Sequence, residues 1–170
     1  LNDLWRYRVN DSTWTWMSGS TRGEQGGVYG LKGDASTSYV PGSRWTPTGW
    51  YDGLRGEFWL FGGRGYITSF GACKCDYCLS CLLYSHFVKK KKKKGDLNDL
   101  WRFRVNDSTW AWMSGSKSIN HVGVYGIKGN ASTENYPGAR RDAVGWYDSL
   151  RQEFWMFSGQ RSATPQGVFC

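Results

Sequence analysis

Short runs of alternating apolar and polar residues, separated by turn residues, dominate this chain. Leu4–Val9 and Thr13–Met17 alternate in this way and flank Asn10–Ser12, residues that favour a tight turn, so the pattern predicts a β-hairpin. After a long glycine-rich connection, a second pair of strands is predicted, one ending near Gly49–Asp52 and one over Glu57–Phe61. Strands of this kind, with no long helical runs between them, predict an all-β fold.

The whole pattern occurs twice. Residues 1–66 align with residues 97–162 without a gap, at a fixed offset of 96 residues. LNDLWRYRVNDSTWTWMSGS becomes LNDLWRFRVNDSTWAWMSGS, and GWYDGLRGEFWLFGG becomes GWYDSLRQEFWMFSG. A tryptophan that returns at the same place in both copies predicts packing rather than chemistry. The equivalent tryptophans are Trp5/Trp101, Trp14/Trp110, Trp16/Trp112, Trp50/Trp146 and Trp59/Trp155.

The spacing of glycine pairs and aromatic residues resembles the kelch repeat. A hydrophobic strand ends in Gly-Gly at Trp59–Gly63, an aromatic residue follows at Trp101, and the next strand carries Trp110 and Trp112. Together with the LNDLW, TWTWMSG, PGxR and WLFGG units, this pattern is similar to that of the galactose-oxidase-like kelch proteins. The resemblance covers both copies and fails only between about residues 71 and 96.

The resemblance implies a partial kelch-type β-propeller of about two blades, each a four-stranded antiparallel sheet packed against its neighbours. The repeat itself agrees, because a lone sheet of this kind cannot bury two aromatic faces. In this register the chain holds the outer two strands of one blade, all four of a second and the inner two of a third. Since a propeller closes with about four to eight blades, we expect a fragment that is completed by further blades. Residues 163–170 would then be the tail of a truncated blade.

Residues 67–96 form an irregular insertion in which cysteine appears, tryptophan vanishes and lysines run from Lys89 to Lys94. Three interpretations stay open: an inserted loop with a metal site, a basic recognition element, or translation of a retained intron or mis-assigned exon. The third is favoured, because the insertion interrupts one blade and a run of lysines is what an adenine-rich tract would encode. We therefore expect a disordered or mis-translated segment. The thiols that could bind a metal are Cys73, Cys75, Cys78 and Cys81, but their short gaps differ from the separated ligand pairs of zinc sites.

The charge of the chain is as localised as its cysteines. The net charge is +8, of which the lysine run supplies six, so the remaining residues carry only +2. Because the run has no interleaved aromatic residues or arginines, we do not expect nucleic-acid binding. No apolar stretch approaches the roughly 18 residues of a membrane helix, so no membrane span is predicted. Glycosylation sequons begin at Asn10, Asn106 and Asn130, and an extracellular or cell-surface location is slightly favoured over a cytoplasmic one.

Charged residues also return with the repeat. Arg44 follows a Pro-Gly pair and Asp52 ends a strand, with Arg140 and Asp148 as their counterparts. This recurrence predicts an internal ion pair or loop tie, with a ring of anion-binding arginines as the alternative. No nucleophile–base pair or carboxylate pair stands out, and the copper ligands of galactose oxidase find no matching positions, so we expect neither catalysis nor a cofactor. The alternative is a fragment of a galactose-oxidase-like or other carbohydrate-active enzyme whose active site lies in further blades.

The two copies differ mainly in their loops. Propellers display binding surfaces by varying loops on a constant framework, so the sequence predicts a non-catalytic scaffold that binds a protein or a glycan. Trp45 is the one tryptophan without a counterpart in the other copy. The candidate binding residues in the differing segments are Arg22, Glu24, Gln25, Trp45, Asn120, His121, Glu134, Tyr136 and Arg141.

Overall fold

The computed structural model describes residues 1–69 and 91–161, and all the regular elements within them are β-strands. The predicted all-β class is confirmed. Among the described residues there is no helix long and apolar enough to cross a membrane. The strands are β1 Leu4–Arg8, β2 Thr13–Ser18, β3 Ala35–Ser36, β4 Arg44–Trp45, β5 Thr48–Asp52, β6 Glu57–Phe61, β7 Arg64–Ser69, β8 Lys91–Asp96, β9 Leu100–Arg104, β10 Thr109–Ser114, β11 Val144–Asp148 and β12 Glu153–Phe157.

The central sheet joins the second half of the first copy to the first half of the second copy. β5 pairs with β6, β6 with β9 and β9 with β10, all antiparallel, and the two-residue β3 is added beside β10. The register of β6 with β9 places Phe58 opposite Phe103 and Leu60 opposite Trp101. The order β5–β6–β9–β10 matches the four-stranded unit that the resemblance implies for the middle of the chain.

The first two and the last two described strands each form a two-stranded sheet. β1 pairs with β2, and β11 pairs with β12 in the same register as β5 with β6. The turn between β1 and β2 is held by Asp11, whose carboxylate accepts hydrogen bonds from the backbone N–H and the hydroxyl of Thr13 at 3.2 and 2.6 Å. Asp107 and Thr109 make the same two bonds between β9 and β10. The aspartate and threonine of each turn therefore stabilise it by hydrogen bonds within the turn, as the sequence predicts.

The central sheet contacts the two terminal sheets through opposite faces. Leu4 of β1 and Met17 of β2 pack against the face that carries Trp101 and Trp110. The ring of Phe154 of β12 packs against the other face, 5.0 Å from the ring centroid of Trp59. The central sheet is therefore a layer between two others.

The equivalent tryptophans of the two copies differ sharply in burial. Those of β9 and β10 are at most 8% exposed, whereas their counterparts in β1 and β2 are 47–66% exposed. The expectation that both sets are packed is right for the central sheet and wrong for β1 and β2. The reason is that β9 lies between β6 and β10 and beneath the β1–β2 sheet, while β1 pairs only with β2 among the described residues. The residues compared are Trp101, Trp110 and Trp112 with Trp5, Trp14 and Trp16.

β4, β7 and β8 form a separate three-stranded sheet. β7 and β8 pair antiparallel, from Arg64 opposite Asp96 to Ser69 opposite Lys91. The described ends of the insertion, residues 67–69 and 91–96, are thus parts of strands. The predictions for residues 70–90, including the cluster of four cysteines, and for residues 162–170 lie outside the described residues.

A pair of glycines links β6 to β7. Gly62 and Gly63 have φ values of +62° and +86°, a region that side chains disfavour. A Cβ on Gly62 would lie 2.7 Å from the carbonyl oxygen of Arg140 and 2.9 Å from that of Leu97. The N–H of Gly62 donates to the carbonyl of Asp99 at 3.1 Å. Glycine therefore lets the end of β6 approach the backbone of the second copy.

Candidate binding site and the junction between copies

The variable residue Trp45 lies in a small group of side chains on the β4–β7–β8 sheet. Its ring packs edge-on against Tyr66 of β7 with centroids 6.2 Å apart, and the Nζ of Lys94 of β8 lies 4.5 Å from its centroid. The Tyr66 hydroxyl donates to the carboxylate of Glu24 at 3.0 Å, and this hydrogen bond raises the pKa of Tyr66. We call Glu24, Trp45, Tyr66 and Lys94 the rim cluster. It presents an aromatic ring, an acid and a cation on one partly exposed surface.

Arg141, the counterpart of Trp45, lies in an ion pair. Its Nη1 donates to both carboxylate oxygens of Asp96 at 2.9 and 3.1 Å, and its Nη2 donates to Gln160 at 3.0 Å. The Asp96 side chain is fully buried. Asn120 is fixed to the same residue, because its N–H donates to the Asp96 carbonyl and its side-chain oxygen accepts from the Asp96 N–H. The second copy therefore has an ion-paired arginine at the position where the first copy has the aromatic ring of Trp45.

The rim cluster and the Arg141 ion pair are neighbours. The N–H of Asp142 donates to the carbonyl of Thr46 at 3.2 Å, which brings the residues after Arg141 and Trp45 together. In addition, β8 carries both Lys94 and the buried carboxylate to which Arg141 donates. Four of the nine candidate binding residues, Glu24, Trp45, Asn120 and Arg141, therefore gather along one sheet.

The remaining candidates lie in the connecting loops. The rings of His121 and Tyr136 contact each other with centroids 5.8 Å apart. Gln25 is half-buried, while Arg22 and Glu134 are exposed. Sequence reasoning did not single out Tyr66 or Lys94, since the first is an ordinary strand residue and the second is one of six consecutive lysines.

The remaining predicted sites are glycosylation sequons and metal sites. The asparagines of all three sequons, Asn10, Asn106 and Asn130, are exposed in turns or loops. Within residues 1–69 and 91–161, no group of three or more His, Cys, Asp or Glu side chains is positioned to hold a metal ion.

A buried ion pair joins the two copies. The Nη1 and Nη2 of Arg44 donate to the two carboxylate oxygens of Asp99 at 2.8 Å each, and the side chains are 5% and 0% exposed. The Tyr29 hydroxyl and the Trp101 indole N–H also donate to Asp99, at 2.7 and 2.6 Å. We call these four residues the clamp. Bidentate geometry and two further donors satisfy the carboxylate after its removal from water.

The clamp shifts the pKa of each ionisable member. Burial would raise the pKa of Asp99, but the charge of Arg44 and the hydrogen bonds outweigh burial and hold that pKa below its ordinary value. Burial would lower the pKa of Arg44, but Asp99 raises it above the ordinary value. Burial and the adjacent carboxylate raise the pKa of Tyr29 well above its ordinary value. Near neutral pH the ion pair is therefore charged and Tyr29 is a neutral donor.

No protein-family model matches the chain, and no curated protein matches its sequence.

Arg44 forms an internal ion pair, as the sequence predicts, but its partner is not Asp52. Asp52 binds Arg55 at 2.7 Å and accepts from the backbone N–H groups of its own turn. Arg44 instead binds Asp99, because β6 pairs with β9 and so brings the LNDLW segment of the second copy beside it. The presence of this aspartate before the tryptophan in both copies is the signal that could have identified the partner. With 5% of its side chain exposed, Arg44 is closed to a soluble anion.

We expect the stability of the chain to fall in acid through Asp99. A carboxyl group whose pKa is lowered by folding contributes stability above its unfolded pKa of about 3.9, and this stability is lost as the pH falls towards the folded pKa. A ¹³C NMR titration of the Asp99 carboxyl should therefore give a midpoint below that of an unstructured NDLW peptide. A midpoint equal to or above that of the peptide would contradict this account of the clamp.

Proposed function

We propose that this chain is part of a kelch-type β-propeller that acts as a non-catalytic scaffold and binds a protein or glycan at the rim cluster. The propeller part of the proposal is supported by the stacking of antiparallel sheets and by the order β5–β6–β9–β10 in the central one. It also agrees with the Gly-Gly ending of β6 and the aromatic residues of β9 and β10, the features that resemble the kelch repeat.

The observation that carries the binding proposal is the contrast between a constant framework and a changing rim. The Asn2 side chain donates to the Pro41 carbonyl at 3.0 Å, and 96 residues later Asn98 donates to the Pro137 carbonyl at 3.1 Å. Next to this repeated framework, the first copy presents Trp45 where the second copy has an ion-paired arginine. Contacts that support the fold are kept while the chemistry of the rim differs, which is expected of a ligand-binding surface.

The rim cluster suits a ligand with both apolar and polar groups. Trp45 is 39% exposed, so part of its large ring is available for contact. Lys94 and Glu24 supply a cation and an anion at its side. Partly exposed tryptophans beside polar groups act as anchors in protein interfaces, and a flat ring also suits the C–H face of a sugar.

We expect Trp45→Ala to weaken ligand binding about 30-fold, the effect of losing a contact of roughly 2 kcal/mol. The chain would be screened against an array of neutral and acidic oligosaccharides and against an array of peptides. Calorimetry on the ligands found would then compare the variants. Tyr51→Ala is the matched control, because Tyr51 is an exposed aromatic residue of β5 outside the rim cluster. Equal affinities for the two variants would contradict the assignment of the site to Trp45.

A further inference from the structure

The second copy repeats the arginine and tyrosine of the clamp but not the bound carboxylate. The Nε of Arg140 donates to the Gly138 carbonyl at 3.0 Å and its Nη1 to the Ser158 carbonyl at 3.1 Å. Arg44 makes the same two bonds to the equivalent carbonyls, at 3.1 and 2.9 Å. Tyr125, the counterpart of the clamp tyrosine, accepts from Arg140 at 3.5 Å. Among the described residues no carboxylate pairs with Arg140, although its side chain is held in the position that binds one in the first copy.

The surroundings of Arg140 form an open cleft. Tyr125, Arg140 and Met156 line this cleft. In the first copy the equivalent residues are covered by Asp99, which binds the arginine and the tyrosine, and by Trp101, whose ring lies 4.8 Å from the tyrosine ring. The cleft therefore has the donors and the apolar wall that receive an Asp-Leu-Trp segment elsewhere in the same molecule.

The other end of the chain carries the missing segment. Asp3 stands before Leu4 and Trp5 as Asp99 stands before its own leucine and tryptophan. The Trp5 indole N–H donates to the Asp3 carboxylate at 2.8 Å, which repeats the bond from Trp101 within the clamp. Trp5 is 49% exposed, and within the described part of the chain no arginine pairs with Asp3. The Asp3–Trp5 segment therefore makes the same internal hydrogen bond as the segment bound in the clamp, and the described residues supply no arginine to its aspartate.

The strand edges beside these groups also match. Among the described strands, β1 pairs only with β2, and β12 only with β11. β1 is the counterpart of β9, and β12 is the counterpart of β6, so the free edges correspond to two strands that pair in the central sheet. If β12 paired with β1 in the register that β6 and β9 have, Phe154 would lie opposite Tyr7 and Met156 opposite Trp5. Each of these pairs has an apolar counterpart in the central sheet.

A second charge pair would form along this edge. In the central sheet Arg102 of β9 lies 3.6 Å from Glu57 of β6, and both side chains are at most 21% exposed. Their counterparts are Arg6 of β1 and Glu153 of β12. The two free edges are thus complementary in charge as well as in register.

We propose that copies of this chain associate head to tail, with β1 of one copy added to the edge of β12 of another and Asp3 seated between Arg140 and Tyr125. The contact reproduces the junction that joins the two repeat copies within one chain. A single chain cannot make this contact with itself, because its terminal sheets pack on opposite faces of the central sheet.

The association goes beyond ligand binding at the rim cluster and does not depend on it. Because β1 of one copy meets β12 of another, further copies can keep adding unless the assembly closes into a ring. Since each chain supplies the strands of about two four-stranded units, about two to four copies would make a ring of four to eight blades.

The test measures the mass of the full 170-residue chain in solution by light scattering over a range of concentrations. The wild type should rise from 19.4 kDa to a multiple of that mass as the concentration increases. Asp3→Asn and Arg140→Gln should each weaken association at least about tenfold, because each leaves one half of a charged pair without its partner. Asp34→Asn, which removes the same charge from an exposed loop, should associate like the wild type.

Mixing the two variants tests whether Asp3 of one copy meets Arg140 of another. The Asp3→Asn chain keeps an intact cleft and the Arg140→Gln chain keeps an intact Asp3, so an equal mixture should form a pair that grows no further. Met156→Glu is a second route, since it places a carboxylate in the cleft and should also block association. A wild type that stays monomeric, variants that associate normally, or a mixture no better than the separate variants would overturn the proposal.

Discussion

Replacing Asp99 with asparagine is expected to destabilise the chain by about 3–5 kcal/mol, the usual effect of breaking a buried ion pair from one side. Arg44, with a side chain only 5% exposed, would keep its charge without a counter-ion. The Oδ2 atom accepts from Arg44 Nη2, Tyr29 and Trp101, while Oδ1 accepts from Arg44 Nη1. An asparagine that keeps the first oxygen turns an N–H donor towards Arg44 Nη1, which then has no acceptor there. Urea unfolding at neutral pH, followed by tryptophan fluorescence, measures the loss.

The repeat supplies a matched control for this prediction. Arg44→Met should be about as harmful as Asp99→Asn, whereas Arg140→Met should change the free energy of unfolding by less than about 1 kcal/mol. The difference arises because Arg140 donates only to carbonyls and a hydroxyl among the described residues. The measurements are made at a dilution where the chain is monomeric.

A double variant tests whether the two groups act as a pair. Arg44→Met together with Asp99→Asn should cost clearly less than the sum of the single effects, because neither buried charge is then left alone. Additive effects would mean that the two side chains contribute independently, and the clamp would not be a unit.

The strands of the repeat were predictable because their signals are local. The hairpin predicted over Leu4–Val9 and Thr13–Met17 is observed as Leu4–Arg8 and Thr13–Ser18. Alternation with a period of two and an Asn-Asp-Ser turn are enough to identify such a hairpin. The pairing of β6 with β9 was expected only from the resemblance to the kelch repeat, because it joins strands that are distant in sequence.

Features that depend on tertiary contacts were not predicted from the sequence. Lysine is depleted in strands, yet β8 contains four lysines and pairs along the whole of β7. The rim cluster depends on this pairing, because it is β8 that brings Lys94 to Trp45. The clamp was not predicted for a related reason: Arg44 and Asp99 belong to different copies, and only the recurrence of an aspartate before the tryptophan in both copies pointed to Asp99.

The local sequence does not show which of two equivalent tryptophans is buried. Trp5 and Trp101 lie at the same position in the two copies of LNDLW, on strands of the same length, and each donates to the aspartate two residues before it. One is 49% exposed and the other fully buried. Only the neighbouring strands differ, so the two residues isolate the effect of packing from that of local sequence.

Trp101→Ala is accordingly expected to destabilise the chain by about 3–5 kcal/mol, and Trp5→Ala by less than about 1 kcal/mol. The first substitution empties a site packed against Tyr29 and removes one donor from Asp99, whereas the second removes a ring that is half in water. Urea unfolding of the two variants at a dilution where the chain is monomeric measures the difference. Equal effects would mean that the central sheet does not hold the fold together. At concentrations where copies associate, Trp5→Ala should gain a cost of its own, because head-to-tail contact gives Trp5 the surroundings that Trp101 has within the chain.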